Sequence, residues 1–213
     1  MLPNLDELRL YLITDRLLFD KNEFLNAVES ALEGGVKALQ LREKDLADEG
    51  LLELAQQMRV LTAKYNSRLF VNTRADIAAK VGADGVHLAE DNTSITDVCK
   101  NFPGLLIGAS THSLERAQQA EAEGVDFITF GPVFDTPSKR KYGPPQGLGQ
   151  LKEVTKNTNI PVLALGGIKC NNLGSVLDNG AFGAALISGI WSSTNIKNEV
   201  KSFLDIFRRR HLL

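Results

Sequence analysis

The chain has 213 residues, 43% of them hydrophobic and 23% charged, which is enough apolar material to bury a sizeable core. Its formal charge of -2 leaves no basic field for nucleic acid, and no apolar run approaches the roughly 20 residues needed to cross a bilayer. The opening MLPNLDELRL lacks the cationic head and apolar stretch of a secretion signal, and Cys99 and Cys170 show no CxxC or zinc-like spacing, so a cytoplasmic globular protein without disulfides is expected.

The first β-branched, apolar run is LYLIT (10–14), with Thr14 and Asp15 at its end. Phe24, Leu25, Val28, Ala31 and Leu32 then fall at i, i+1, i+4, i+7 and i+8, one face of a helix, and EGG (33–35) offers the glycine that ends it in the left-handed region. VKALQLR (36–42) is the second strand, and Leu51, Leu54, Ala55, Met58 and Leu61 line the next helix. RLFVN (68–72) and GVHL (85–88) follow as short strands, and LLIGAS (105–110) leads into Thr111 and His112. After the helix end AEG (122–124) comes FITFG (127–131), then the longest loop, PVFDTPSKRKYGPPQG. PVLALGG (161–167), the helix of Leu173, Val176 and Leu177 with its DNG stop (178–180), and AALISG (184–189) complete the series. These are eight strand candidates, mostly continuous hydrophobic runs as in parallel strands covered on both faces. No linker interrupts them, so residues 1–213 are expected to form one (β/α)8 barrel domain. An open doubly wound sheet fits less well, because no GxGxxG follows the first strand.

In such a barrel the site lies at the C-terminal strand ends. Gln40, Arg42 and Lys44 alternate on the end of strand two and can share the mouth, with Glu43 between them expected to face outward. Lys139, Arg140 and Lys141 give the long loop the character of a basic lid. The glycines of ALGGI and LISGI, at two adjacent strand ends, allow backbone N–H groups to approach a phosphate, with a short helix starting near SGIW. Cations at two places plus a backbone nest suggest two anionic groups in one pocket. His112 is the best acid–base candidate by residue type, against the alternative that STHSLERA only caps a helix there; His87, inside a strand, is expected to be a packed or hydrogen-bonding residue.

Together, YLITD, QLREK, FVNTRADIAAKVGADGVHL, IGASTHSLERAQQAEAEGVDFITFGPVFDTPSK, PVLALGGI and ALISGI resemble the thiamine phosphate synthase and thiazole tautomerase family from about residue 10 to 205. The resemblance implies the (β/α)8 barrel again. It also implies that Gln40, Arg42, Lys44 and Asn72 hold a pyrimidine diphosphate and that Ser110 contacts the departing diphosphate. Thr136 and Lys139 would close over the substrates, while Gly166, Gly167, Ile187 and Ser188 cradle a thiazole phosphate. Synthases of this family hold magnesium on two aspartates, and at the matched positions this chain has Thr73 and Asn92. Neutral oxygens bind magnesium far more weakly, and Glu90 or Asp91 would serve as ligands only if the loop shifts.

The leading expectation is therefore a metal-independent thiazole tautomerase, with His112, Lys139 and Ser110 as the catalytic set and no cofactor. The alternative is a synthase that couples hydroxymethylpyrimidine diphosphate to thiazole phosphate with Mg2+. A further alternative is a non-catalytic regulator that binds phosphorylated ligands. Small phosphorylated substrates are the expected partners, with no nucleic acid and no membrane. Barrels often associate through their outer helices, so a homo-oligomer is an open expectation.

Overall fold

The computed structural model describes residues 5–20, 23–90, 94–137, 140 and 143–213. Eight parallel strands close into a barrel in sequential order: β1 (Leu10–Ile13), β2 (Ala38–Leu41), β3 (Arg68–Asn72), β4 (Gly85–Leu88), β5 (Leu106–Thr111), β6 (Phe127–Phe130), β7 (Val162–Leu165) and β8 (Gly183–Leu186). Closure comes from β1 against β8, with Leu10 opposite Ala184 and Leu12 opposite Leu186. Among the described residues the connecting helices are α1 (Phe24–Gly34), α2 (Asp48–Lys64), α3 (Ala75–Val81), α4 (Ile95–Asn101), α5 (Leu114–Ala122), α6 (Gly147–Lys156), α7 (Cys170–Asp178), α8 (Ser188–Trp191) and α9 (Ile196–Arg209).

Side chains alternate across each strand, so each apolar run serves two cores. Leu12, Leu39, Leu41, Val71, Val86, Ile107, Ile128, Ala164 and Leu186 face outward into the layer beneath the helices. Tyr11, Ile13, Ala38, Phe70, Phe127, Leu163 and Ala185 face inward, with Leu8 joining them from the turn Asp6–Arg9. The rings of Tyr11, Phe70 and Phe127 meet edge to face at 5.3–5.5 Å, a geometry their quadrupoles favour. Gly108 makes room for this cluster, since a Cβ there would stand 2.4 Å from the Phe127 ring.

The helix faces bury as their spacing predicts: Phe24, Val28, Ala31 and Leu32 on α1, and Leu51, Ala55 and Met58 on α2. Gly35, Gly124 and Gly180 all adopt positive φ just beyond helix ends. One expectation is corrected. The last strand stops at Leu186 rather than at 189, because Ile187 leaves extended geometry (φ -123°, ψ -94°) and α8 begins at Ser188. Glu43 lies just past the end of β2 at Leu41 and is buried. Its carboxylate accepts from Thr14 Oγ1 and from the Arg16 backbone N–H (3.2 Å), tying the turn after β1 to that after β2. Burial raises its pKa, against the lowering effect of those hydrogen bonds.

Candidate active site

The register brings the sequence-selected residues to one end of the barrel. Ile13 pairs with Gln40, Asn72 with His87, Ser110 with Thr129, and Thr111 with Phe130, each near the C-terminal end of its strand. Gln40 and His87 are buried in the barrel; Asn72, Ser110 and Arg42 are half-buried above them. Arg42 continues the inward phase of Ala38 and Gln40, and lies near enough to His87 for its charge to act on the imidazole. Its N–H donates to Thr14 Oγ1 at 2.9 Å, which fixes the backbone where the strand ends. Lys44 sits in the exposed turn beyond β2, where strand alternation no longer sets its direction.

Beneath the mouth runs a polar chain. Gln40 Nε2 donates to Tyr11 Oη at 3.3 Å, and Tyr11 Oη lies 3.4 Å from His87 Nδ1. His87 Nε2 in turn lies 3.2 Å from Ser110 Oγ and 3.3 Å from Thr129 Oγ1. Burial, helped by the Arg42 cation, pushes the His87 pKa down to about 3, and burial raises that of Tyr11 well above its ordinary value. Both rings therefore stay neutral at physiological pH. Tyr11 and Thr129 were not selected from the sequence; the available signal was a hydroxyl at an inward position of an otherwise apolar strand.

His112 stands at the rim. Its Nδ1 faces the Gly131 carbonyl, which can only accept, so Nδ1 carries a proton there, and Nε2 lies 3.6 Å from Glu90. Capping falls to the next residue, Ser113, whose side chain accepts from the Arg116 N–H at 3.1 Å. The cap in STHSLERA is therefore Ser113, and the His112 imidazole stands beside Glu90.

Across the opening the material is backbone. Gly166 and Gly167 have φ of +100° and +65°, and the loop after β6 packs onto them, so that added Cβ atoms would come within 2.6 Å of Pro132 and 2.7 Å of Phe134. Val133 N–H and Phe134 N–H donate to the Leu165 and Gly166 carbonyls, stitching that loop to the end of β7. Ile187 and Ser188 open α8, which Trp191 anchors by donating from Nε1 to the Ile13 carbonyl at 2.7 Å. In the long loop, Thr136 is half-buried and Arg140 pairs with Asp135 at 2.6 Å, so the charge of Arg140 is matched locally. Lys139 and Lys141 lie outside the described residues, as do Asp91 and Asn92.

Of the positions that bear on magnesium, Thr73 and Glu90 lie among the described residues. Among the described residues no group of three or more His, Cys, Asp or Glu gathers that could hold a metal ion. The Thr73 hydroxyl donates to the Asn72 carbonyl at 2.8 Å, and Glu90 is turned toward His112. Thr73 also holds φ +59°, strained for a β-branched residue, in a turn closed by the Arg74 N–H on the Asn72 carbonyl.

A closed parallel barrel with Arg42 and polar strand ends on one side of its mouth and the glycine ends of β7 and β8 on the other has the architecture of a (β/α)8-barrel enzyme. The chain belongs to the thiamine monophosphate synthase family, whose pattern it matches over residues 10–190, and it is an enzyme of thiamine biosynthesis. It is 37% identical to a thiamine-phosphate synthase from Desulfitobacterium hafniense, over 93% of this chain and 97% of that one. It is 34% identical to one from Methanococcus maripaludis, over 96% and 97%. The structure of a thiamine phosphate pyrophosphorylase from Pyrococcus furiosus superposes with a TM-score of 0.88 at 35% identity, covering 96% of this chain and 97% of the other. These relatives carry the name of the synthase, the alternative from the sequence, rather than the tautomerase that led there. Among the described residues no helix is long and apolar enough to cross a membrane.

Proposed function

We propose that this protein is a thiamine phosphate synthase, joining a hydroxymethylpyrimidine diphosphate to a thiazole phosphate with release of diphosphate. The observation that carries the assignment is the two-sided mouth. Arg42 and the polar strand ends of β2 to β5 face the glycine ends of β7 and β8 across one opening. Two anion-binding regions suit a diphosphate and a phosphate; the thiazole carboxylate phosphate of the tautomerase would fill them with one carboxylate and one phosphate, and the names of the relatives favour the first.

In this scheme Gln40 and Asn72 orient the pyrimidine, and Arg42 and Lys44 draw charge from the diphosphate. Ser110 donates to the leaving oxygen. The backbone N–H groups at Gly166, Gly167, Ile187 and Ser188 hold the thiazole phosphate, while Thr136 and Lys139 cover both substrates. The C–O bond to diphosphate breaks with its electron pair going to the leaving group, and the thiazole nitrogen forms the new C–N bond to the same carbon. Donors aimed at the leaving oxygen stabilise charge that develops only in the transition state. No proton transfer is required for bond exchange, so His112 is left to bind and orient at the rim. The whole chain serves as a single barrel, working in the cytoplasm, where phosphorylated intermediates are retained.

The tautomerase keeps one specific observation in its favour, the neutral Thr73 where the family's synthases carry aspartate. Purified protein given both substrates decides between them. Diphosphate release and a coupled product are expected, measured with and without Mg2+ and chelator. Absence of product in every condition, with turnover of the thiazole carboxylate phosphate alone, would replace the synthase by the tautomerase.

A further inference from the structure

We propose that His87 is a positioning residue which, as a neutral Nε2–H imidazole, sets the Ser110 hydroxyl to donate toward the mouth. The inference rests on the synthase assignment insofar as that assignment puts Ser110 on the leaving diphosphate. His87 is 2% exposed and lies 3.2 Å from Ser110 Oγ, so it would act through that hydroxyl.

The polarity follows from donors and acceptors taken in order. Tyr11 is fully buried and remains protonated, so its O–H needs an acceptor. Among the described residues, two polar side-chain atoms face Tyr11 Oη: Gln40 Nε2, a donor, and His87 Nδ1. The phenol therefore donates to Nδ1, and a neutral imidazole whose Nδ1 accepts carries its proton on Nε2. That N–H points at Ser110 Oγ, with Thr129 Oγ1 alongside. A serine oxygen that accepts from below keeps its own proton for a partner above, and an anionic leaving oxygen accepts only. The line Gln40, Tyr11, His87, Ser110 thus runs from strand two to strand five with every donor pointing the same way. The nearby Arg42 cation and the burial of the ring both disfavour an imidazolium that would break the order.

The tautomer is directly observable. Nitrogen-15 spectra of the histidine rings in the free protein should show His87 protonated at Nε2 alone from pH 5 to 8; an Nδ1–H ring or an imidazolium would overturn the proposal. Kinetics test the coupling. Ser110→Ala should lower kcat by about a hundredfold. An unchanged kcat would instead remove Ser110 from the reaction, a failure of the functional assignment that the spectra do not share. His87→Gln places an amide N–H near the position of Nε2 and should retain most activity. His87→Asn, whose amide mimics the other nitrogen, should lose roughly tenfold in the parent and less than about twofold in the Ser110→Ala background. Tyr11→Phe removes one oxygen from a ring that keeps its packing, and it should lose several-fold with the same dependence on Ser110. Losses that add to those of Ser110→Ala would show that His87 and Tyr11 merely support the barrel, and would end the proposal.

Discussion

Strands β2 to β5 furnish the mouth with side chains, Gln40, Arg42, Asn72, Ser110 and His112, whereas β6 to β8 furnish it with backbone at Gly131, Gly166, Gly167 and Ile187. On the first side, identity sets chemistry, and neighbours such as Thr14, Tyr11 and His87 only hold it in place. On the second side the groups proposed to bind phosphate are the same peptide units found everywhere. What distinguishes Gly166 and Gly167 is a positive φ that only glycine adopts cheaply and a loop packed too close for any Cβ. The two sides should therefore fail differently when mutated, the first in rate and the second in folding as well.

The largest effect is expected on the backbone side. Gly166→Ala must hold a Cβ at φ +100° and 2.6 Å from Pro132, and it should cost about 3–4 kcal/mol of stability in urea unfolding. A loss within about 0.5 kcal/mol would show that this side of the mouth yields, and the contrast would fall.

Next comes the polar floor under the side-chain half. The His87 pKa is lowered to about 3 in the folded chain from 6.5. Between those values the unfolded state binds the proton and the folded state does not, so stability is full above pH 6.5 and falls as pH drops through the window. From pH 7 to pH 4 this one group should remove on the order of 3 kcal/mol. Parallel unfolding curves of the parent and His87→Gln isolate it from the carboxylates, and equal pH slopes would mean that the ring is solvated rather than buried.

The smallest free-energy change should come from the side chains of the mouth itself. Arg42→Gln is expected to lower kcat/KM by about a hundredfold, near 2.7 kcal/mol, while leaving unfolding within about 0.5 kcal/mol. An Arg42→Gln protein that unfolds easily would show that the guanidinium holds the structure rather than the substrate, and would blur the division between the two sides.

Legibility in the sequence follows the same division. Helix faces and glycine stops could be read because they are local: period and positive φ leave marks within ten residues, as at Phe24–Gly35 and Asn179–Gly180. The strand-end residues could be read because barrel topology sends every C-terminal end to one mouth. The burial of Glu43 could not be read, because it depends on Thr14 and Arg16, 29 and 27 residues away. Tyr11 was passed over because its hydroxyl gains meaning only from Gln40, 29 residues away, and His87, 76 away. The basic loop read as uniformly cationic, yet Arg140 spends its charge on Asp135.

By itself, then, the order of residues determined the eight-fold alternation, the end of the barrel that carries chemistry, and the kinship with thiamine phosphate synthases. Those depend on periodicity and on short motifs, which a linear chain displays openly. Only the closed barrel decided which polar groups meet inside it, which way the line from Gln40 to Ser110 is ordered, and that Glu90 turns to His112. The reason is that burial and hydrogen-bond pairing depend on atoms brought together across the barrel from strands far apart in the chain.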